Sequence, residues 1–210
     1  YRKREMSFYL RHRKKDSEGE KSLLESSVQQ SYIGYKKSTV AMYALQEYIG
    51  EDSVGKALGR IVDNFGYRID TFALASDLVN EFLKVTPDSL QYLVVDLFEK
   101  ITLYENKAIS ATYKEIDDNN YIVNLELESR KYYSDSVGNQ IEPTLHDYIY
   151  VSLTDEEGNL LYYKKHLFTE NITTLNITTD VIPTHAGIYP YLVLIDREMD
   201  NNICIVKEEK

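Results

Sequence analysis

Four histidines and one cysteine are the side chains readiest for catalysis or metal binding, and their spacing favours neither. His12, His146, His166 and His185 stand far apart. None has a second histidine four residues on, so no H-E-x-x-H helix is encoded in these 210 residues. Each fits a surface or structural histidine better than a ligand. Cys204 is the single thiol. It leaves no partner for an internal disulfide and no cysteine-rich zinc site. The nine glycines are scattered as turn residues. No phosphate-cradling loop and no G-x-S-x-G elbow occurs. Asp117-Asp118 and Asp155-Glu156-Glu157 lack the spaced ligand loop of an EF-hand and read as hairpin turns. A self-contained active site is not visible.

One stretch could do chemistry: Gln29-Gln30-Ser31-Tyr32-Ile33-Gly34-Tyr35-Lys36-Lys37-Ser38, running straight into Thr39-Val40-Ala41-Met42-Tyr43-Ala44-Leu45. The spacing places Tyr35 at a helix N-terminus. A phenol there donates a hydrogen bond to a developing oxyanion, and the helix dipole favours negative charge beside it. The competing reading makes Tyr32 and Tyr35 two packing residues among 19 tyrosines in a chain with no tryptophan.

The elements that would position this stretch are helical. Residues 1–13 read as the end of a helix, with a basic start that suits a solvated or packed helix end. Residues 14–22, KKDSEGEKS, read as a solvated charged loop. From Ser38 to Ile49 the apolar positions Val40, Ala41, Tyr43, Ala44, Leu45 and Tyr48 recur at helical spacing. Gly50 stops that helix, and Asp52 or Ser53 is expected to cap the next, which carries Val54, Leu58, Ile61, Val62 and Phe65. A further helix is expected from about Ala73 to Val85. Thr86-Pro87-Asp88 then reads as a start signal for one reaching Ile101.

After Asn106 the period falls to two. Residues 108–115 and 121–129 alternate, with Tyr121, Val123, Leu125 and Leu127 on one face and a turn at Asp117 to Asn120. Strands are expected at about 147–153, 160–168, 172–179, 188–195 and 201–207. The expected fold class is α+β: an all-helical lobe over 1–105 followed by an antiparallel β-sandwich over 106–210.

Charge agrees with a boundary there. The net charge of −10 lies wholly in residues 111–210, where 18 acidic side chains face 8 basic ones. This acidity argues against nucleic acid as a partner. No apolar run approaches the roughly 20 residues of a membrane span. The chain opens on Tyr1 without a secretory signal pattern, and we expect it to be a piece of a longer protein.

The segment Tyr35-Lys36-Lys37-Ser38 with Leu45 resembles the Y-x-K-G-x-x-x-x-x-x-L segment of the gluzincin aminopeptidases, the aminopeptidase N family. Tyr35 matches the family's tyrosine and Lys37 its lysine. Ser38 stands where glycine is usual. The resemblance continues through YIGYKKSTVAMYALQEYIGEDSV, TPDSLQYLVVDLFEKITLYENK and AGIYPYLVLIDREMDNN. Together these cover most of the chain and resemble a bacterial branch in which the peptidase domain is fused to ABC-transporter-permease-like membrane spans. That branch typically has Asp where Tyr189 stands.

The resemblance implies several things. Residues 1–105 would complete a thermolysin-like catalytic domain, and residues 106–210 would be the β-sandwich after it. Tyr35 would stabilise the tetrahedral intermediate, with Lys37 and Tyr32 supporting it. The zinc-binding H-E-x-x-H, the third ligand Glu and the G-x-M-E-N segment would lie upstream, so the fragment alone would be inactive and hold no cofactor. Partners would be the zinc-bearing upstream half of the same polypeptide, its membrane domain and a peptide substrate. The parent would be membrane-anchored, with this domain on the extracytoplasmic, periplasmic side. The alternative from another class is a non-catalytic interaction or scaffold module of such a transporter-associated protein.

Overall fold

Helices occupy the chain as far as Glu99, and strands follow from Ile101. The computed structural model describes residues 1–188 and 190–209 and is a mixed α+β architecture. The chain divides into two compact units. The first holds Tyr1–Thr102, Tyr133–Ile141 and Val193–Ile195; the second holds Leu103–Tyr132, Glu142–Leu192 and the chain from Asp196 onward.

In the first unit, α1 (Arg2–Arg13) is followed by an irregular segment and a π-helical turn, Tyr32–Lys37. That turn leads without a break into α2 (Ser38–Ile49). Then come α3 (Glu51–Phe65), α4 (Ala75–Val85), a 3₁₀ turn at Asp88–Leu90, the short α5 (Gln91–Val94) and a second π-helical turn, Val95–Glu99. The apolar stripe of α2 does what its spacing demands: Val40, Ala41, Ala44, Leu45 and Tyr48 are buried. Tyr43 lies outside the stripe and faces solvent.

Two helix boundaries differ from expectation. Gly50, not Asp52 or Ser53, flanks the start of α3, at φ 86°, a left-handed backbone that glycine adopts without strain. The Thr86 hydroxyl turns back and donates to the Phe82 carbonyl at 2.7 Å. It thus closes α4 instead of capping a new helix, and the helical stretch ends at Glu99. Ile101, expected at a helix end, begins a strand.

The sheets are built on a long hairpin, β1 (Ile101–Asp117) and β2 (Asn120–Ser134). Val123, Leu125 and Leu127 of β2 are fully buried, as the alternation requires. The other strands are β3 (Gln140–Ile141), β4 (Asp147–Thr154), β5 (Leu160–Phe168), β6 (Ile172–Thr179), β7 (His185–Gly187), β8 (Ile203–Ile205) and β9 (Lys207–Glu208). One sheet runs β3-β2-β1-β9, with β6 also on β2; the other runs β5-β4-β7-β8. Leu125 stands opposite Leu175, and Val123 opposite Ile177.

The strand expected at 188–195 does not form. Ile188 and residues 190–195 are irregular, and Tyr189 lies outside the described residues. Val193, Leu194 and Ile195 are nevertheless buried. Burial alone explains their apolar character, and an apolar run reads alike with or without a strand partner.

A polar hub anchors the irregular loop of the second unit. The Asp196 carboxylate is 1% exposed and accepts from the Asn106 backbone N–H (3.1 Å), the Asn106 amide (2.8 Å) and the Asn202 amide (3.1 Å). Burial pushes its pKa up, against the pull of these donors.

Gly187 is the tightest point of the β7–β8 pair. It sits at φ 153°, and a Cβ there would lie 2.0 Å from the Asn202 carbonyl oxygen. Gly187→Ala is expected to cost ~4 kcal/mol or more, at the extreme of single substitutions. Urea unfolding reads this; a midpoint equal to wild type would refute it.

Candidate functional site

The chemistry singled out by sequence centres on Tyr35, and the π-helical turn decides how that residue is presented. Within Tyr32–Lys37, Tyr32, Ile33 and Lys37 are buried, whereas Tyr35 is 73% exposed. Among the described residues its phenol makes no hydrogen bond. A π turn closes i→i+5 and leaves carbonyls imperfectly matched. Hydroxyls from the start of α2 serve them. Thr39 Oγ1 donates to the Tyr35 carbonyl at 2.6 Å, and Ser38 Oγ lies 2.5 Å from the Gly34 carbonyl. Ser38 and Thr39 are therefore structural partners of the turn.

Three anchors hold the turn from within. Tyr32 stacks on Tyr9 at 6.1 Å, and its hydroxyl donates to Asp16 Oδ2 at 2.6 Å. Burial, together with that carboxylate, pushes the Tyr32 pKa well up, and the same bond pulls Asp16 down. Lys36 reaches Glu5 at 2.8 Å. Lys37 is fully buried; its Nζ donates to the Lys100 carbonyl at 3.4 Å and lies 3.8 Å from Glu20 and 5.5 Å above the Tyr9 ring. Burial lowers the Lys37 pKa from 10.5 to about 8, with Glu20 opposing the shift.

Glu20 is the centre of this network. Arg13 Nε donates to it at 2.7 Å, and the Tyr9 hydroxyl donates to its other oxygen. The residue is only 4% exposed. The charged stretch 14–22, expected to be solvated throughout, therefore hides a buried carboxylate. Composition could not show this, because the neutralising Arg13 and Lys37 come from two helical elements.

Outside the turn, Ser38, Thr39, Met42, Tyr43 and Gln46 line an open groove of about 360 Å³ on α2. Tyr35 heads the same stripe, three and four residues before Ser38 and Thr39. An exposed phenol can donate to an oxyanion of a bound molecule. A larger cleft of about 590 Å³ borders Glu20, Glu25, Glu99, Lys100 and Tyr133. Several of its charges are engaged: Glu20 with Arg13, and Lys100 Nζ 3.9 Å above the Tyr133 ring.

Three of the four histidines have local partners. His166 Nε2 is 2.7 Å from the Tyr162 hydroxyl, His185 Nδ1 is 3.0 Å from the Thr184 hydroxyl, and His12 stacks on Phe8. Among the described residues no group of three His, Cys, Asp or Glu side chains could hold a metal ion. Nor, among them, is any helix long and apolar enough to cross a membrane. Asp155, read as a turn residue, accepts from the Asn159 backbone (2.7 Å) and side-chain amide (2.8 Å). No protein-family model matches the chain, and no curated protein matches it.

Proposed function

We propose that this chain is the C-terminal part of a zinc aminopeptidase-like domain in a longer, membrane-anchored bacterial polypeptide. In that reading the first unit completes a thermolysin-like catalytic lobe, and the strands of the second form a β-sandwich, antiparallel except for β9, which runs parallel to β1. Tyr35 donates the hydrogen bond that stabilises the oxyanion of the tetrahedral intermediate. Tyr32 and Lys37 are positioning residues that hold the turn from beneath.

One observation carries the reading. Tyr35 is 73% exposed on a turn in which Tyr32, Ile33 and Lys37 are sealed in the core. A purely packing tyrosine would have its ring inside. The described residues do not fit zinc. The metal is assigned to residues upstream of Tyr1, and only the phenol's hydrogen bond is derived for this chain.

The test uses the full polypeptide that contains these residues. Bound zinc and release of an N-terminal residue from an aminoacyl-anilide are the expected result, with residues 1–210 alone inactive. A full polypeptide with neither zinc nor hydrolysis would overturn the catalytic reading in favour of a non-catalytic interaction module.

A further inference from the structure

Helix α3 is apolar on more of its surface than its own core uses. Val54 and Ala57 are buried, with Ile61 and Phe65 half-buried on the same face. An adjoining stripe, Gly55, Leu58, Gly59 and Val62, follows helical i, i+3, i+4, i+7 spacing and is exposed throughout. Nothing lies within 4 Å of where a Cβ would stand on Gly55 or Gly59. The stripe runs into the α3–α4 connector, which puts Tyr67, Ile69, Phe72 and Leu74 in solvent, Tyr67 and Ile69 almost entirely. Arg68 and Asp70 of the connector pair with each other at 3.4 Å, so the tip offers no free charge.

The size of this surface points to its occupant. At ~150–250 Å² for each aromatic side chain, Tyr67 and Phe72 alone present about 300–500 Å², and the exposed Leu58, Val62, Ile69 and Leu74 extend the patch well beyond that. The largest apolar patch of an ordinary monomer is ~300–600 Å². A standard two-protein interface buries ~800 Å² per partner, the scale that this patch approaches. Between Glu51 and Val85 the hairpin carries six acidic side chains against four basic ones, which disfavours an anionic lipid surface as the alternative. The open glycine stripe lets a second helix approach closely.

We propose that the outer face of the α3–α4 hairpin is a homodimer interface, in which α3 of one copy packs across Gly55 and Gly59 of the other. The inference does not depend on the catalytic reading, since Tyr35 lies on another element.

Sedimentation equilibrium tests it, on residues 1–210 and on the full polypeptide. Both are expected to dimerise with a Kd in the micromolar range or tighter. Ile69→Glu with Phe72→Glu is expected to weaken the dimer at least tenfold with an unchanged circular-dichroism spectrum. Gly59→Ala separates interface from fold: it improves helix propensity and so raises the Tm of the monomer, yet it is expected to weaken the dimer. A wild-type monomer at several hundred micromolar overturns the proposal, whether or not it binds anionic vesicles. So does a dimer indifferent to all three substitutions. A full polypeptide that stays monomeric while residues 1–210 dimerise overturns it too, because the face is then covered within one chain.

Discussion

Tyr35→Phe in the zinc-bearing polypeptide is expected to lower kcat about 10²–10³-fold, the loss typical of one oxyanion donor, with KM nearly unchanged. The substitution removes a single oxygen. That oxygen makes no hydrogen bond among the described residues, and the side chain is 73% exposed. The fold therefore has nothing to lose, and the Tm is expected to stay at the wild-type value. A drop in kcat and kcat/KM together, at constant KM and Tm, is the signature of an interaction made only in the transition state. Unchanged kcat in an active enzyme would remove Tyr35 from the mechanism while leaving the rest of the reading in place. A fallen Tm would give the phenol a structural role instead.

The second large effect lies beneath the same turn, and it is asymmetric. Glu20 accepts from Arg13 and Tyr9 and faces Lys37 at 3.8 Å, all of them buried or nearly so. Glu20→Ala leaves two cations without their carboxylate and is expected to cost ~3–5 kcal/mol of stability. Lys37→Met takes away one cation and leaves Glu20 its two donors, so a neutral or stabilising change is expected. The direction of the Lys37 pKa supports this: desolvation of the ammonium outweighs the pull of Glu20.

The pH dependence follows with a definite sign. Lys37 holds its proton to 10.5 when unfolded but only to about 8 when folded. In that window the unfolded chain binds more protons, so wild-type stability rises with pH. At 1.36 kcal/mol per pKa unit the rise is at most about 3 kcal/mol. Tyr9 and Tyr32, whose folded pKa values are raised above 10.0, act in the opposite sense beyond that point. Urea unfolding of wild type and Lys37→Met at pH 8 and pH 10 reads the effect as a difference. The wild type is expected to gain on the variant over that range. Parallel behaviour of the two proteins would mean that Lys37 is not desolvated as the structure has it.

Residues whose surroundings are local were legible in the sequence. The helical spacing of Val40, Ala41, Tyr43, Ala44, Leu45 and Tyr48 named the buried face of α2 apart from Tyr43, which is exposed, and the alternation of Tyr121, Val123, Leu125 and Leu127 named that of β2 apart from the half-buried Tyr121. The turn at Asp155 was read from the sequence, and the one at Asp135, which was not, has the same local chemistry. Asp135 and Asp155 each bind the asparagine four residues on, with Gly138 and Gly158 at positive φ between them. In both turns the hydrogen bonds hold the aspartate pKa below its usual range.

Long-range partners were not legible. The burial of Glu20 depends on Arg13 and Lys37, and the irregular path of Val193–Ile195 depends on packing that an apolar run does not encode. That Tyr133–Ile141 and Val193–Ile195 join the helical unit is likewise a matter of contacts far apart in sequence.

The sequence by itself determined the helical-then-strand order, most of the apolar faces of α2 and β2, the turn at Asp155 to Asn159 and the stretch in which a reactive phenol could lie. Only the tertiary structure decided how its two tyrosines, Tyr32 and Tyr35, are presented. Tyr32 and Tyr35 are three residues apart, which in an α-helix puts them on nearly one face. The wider i→i+5 turn swings them apart. Tyr32 is thereby committed to Asp16 and Tyr9 in the core, and Tyr35 to solvent. That turn is held open by hydrogen bonds from Ser38 and Thr39 and by the burial of Lys37, and no local spacing rule carries such terms.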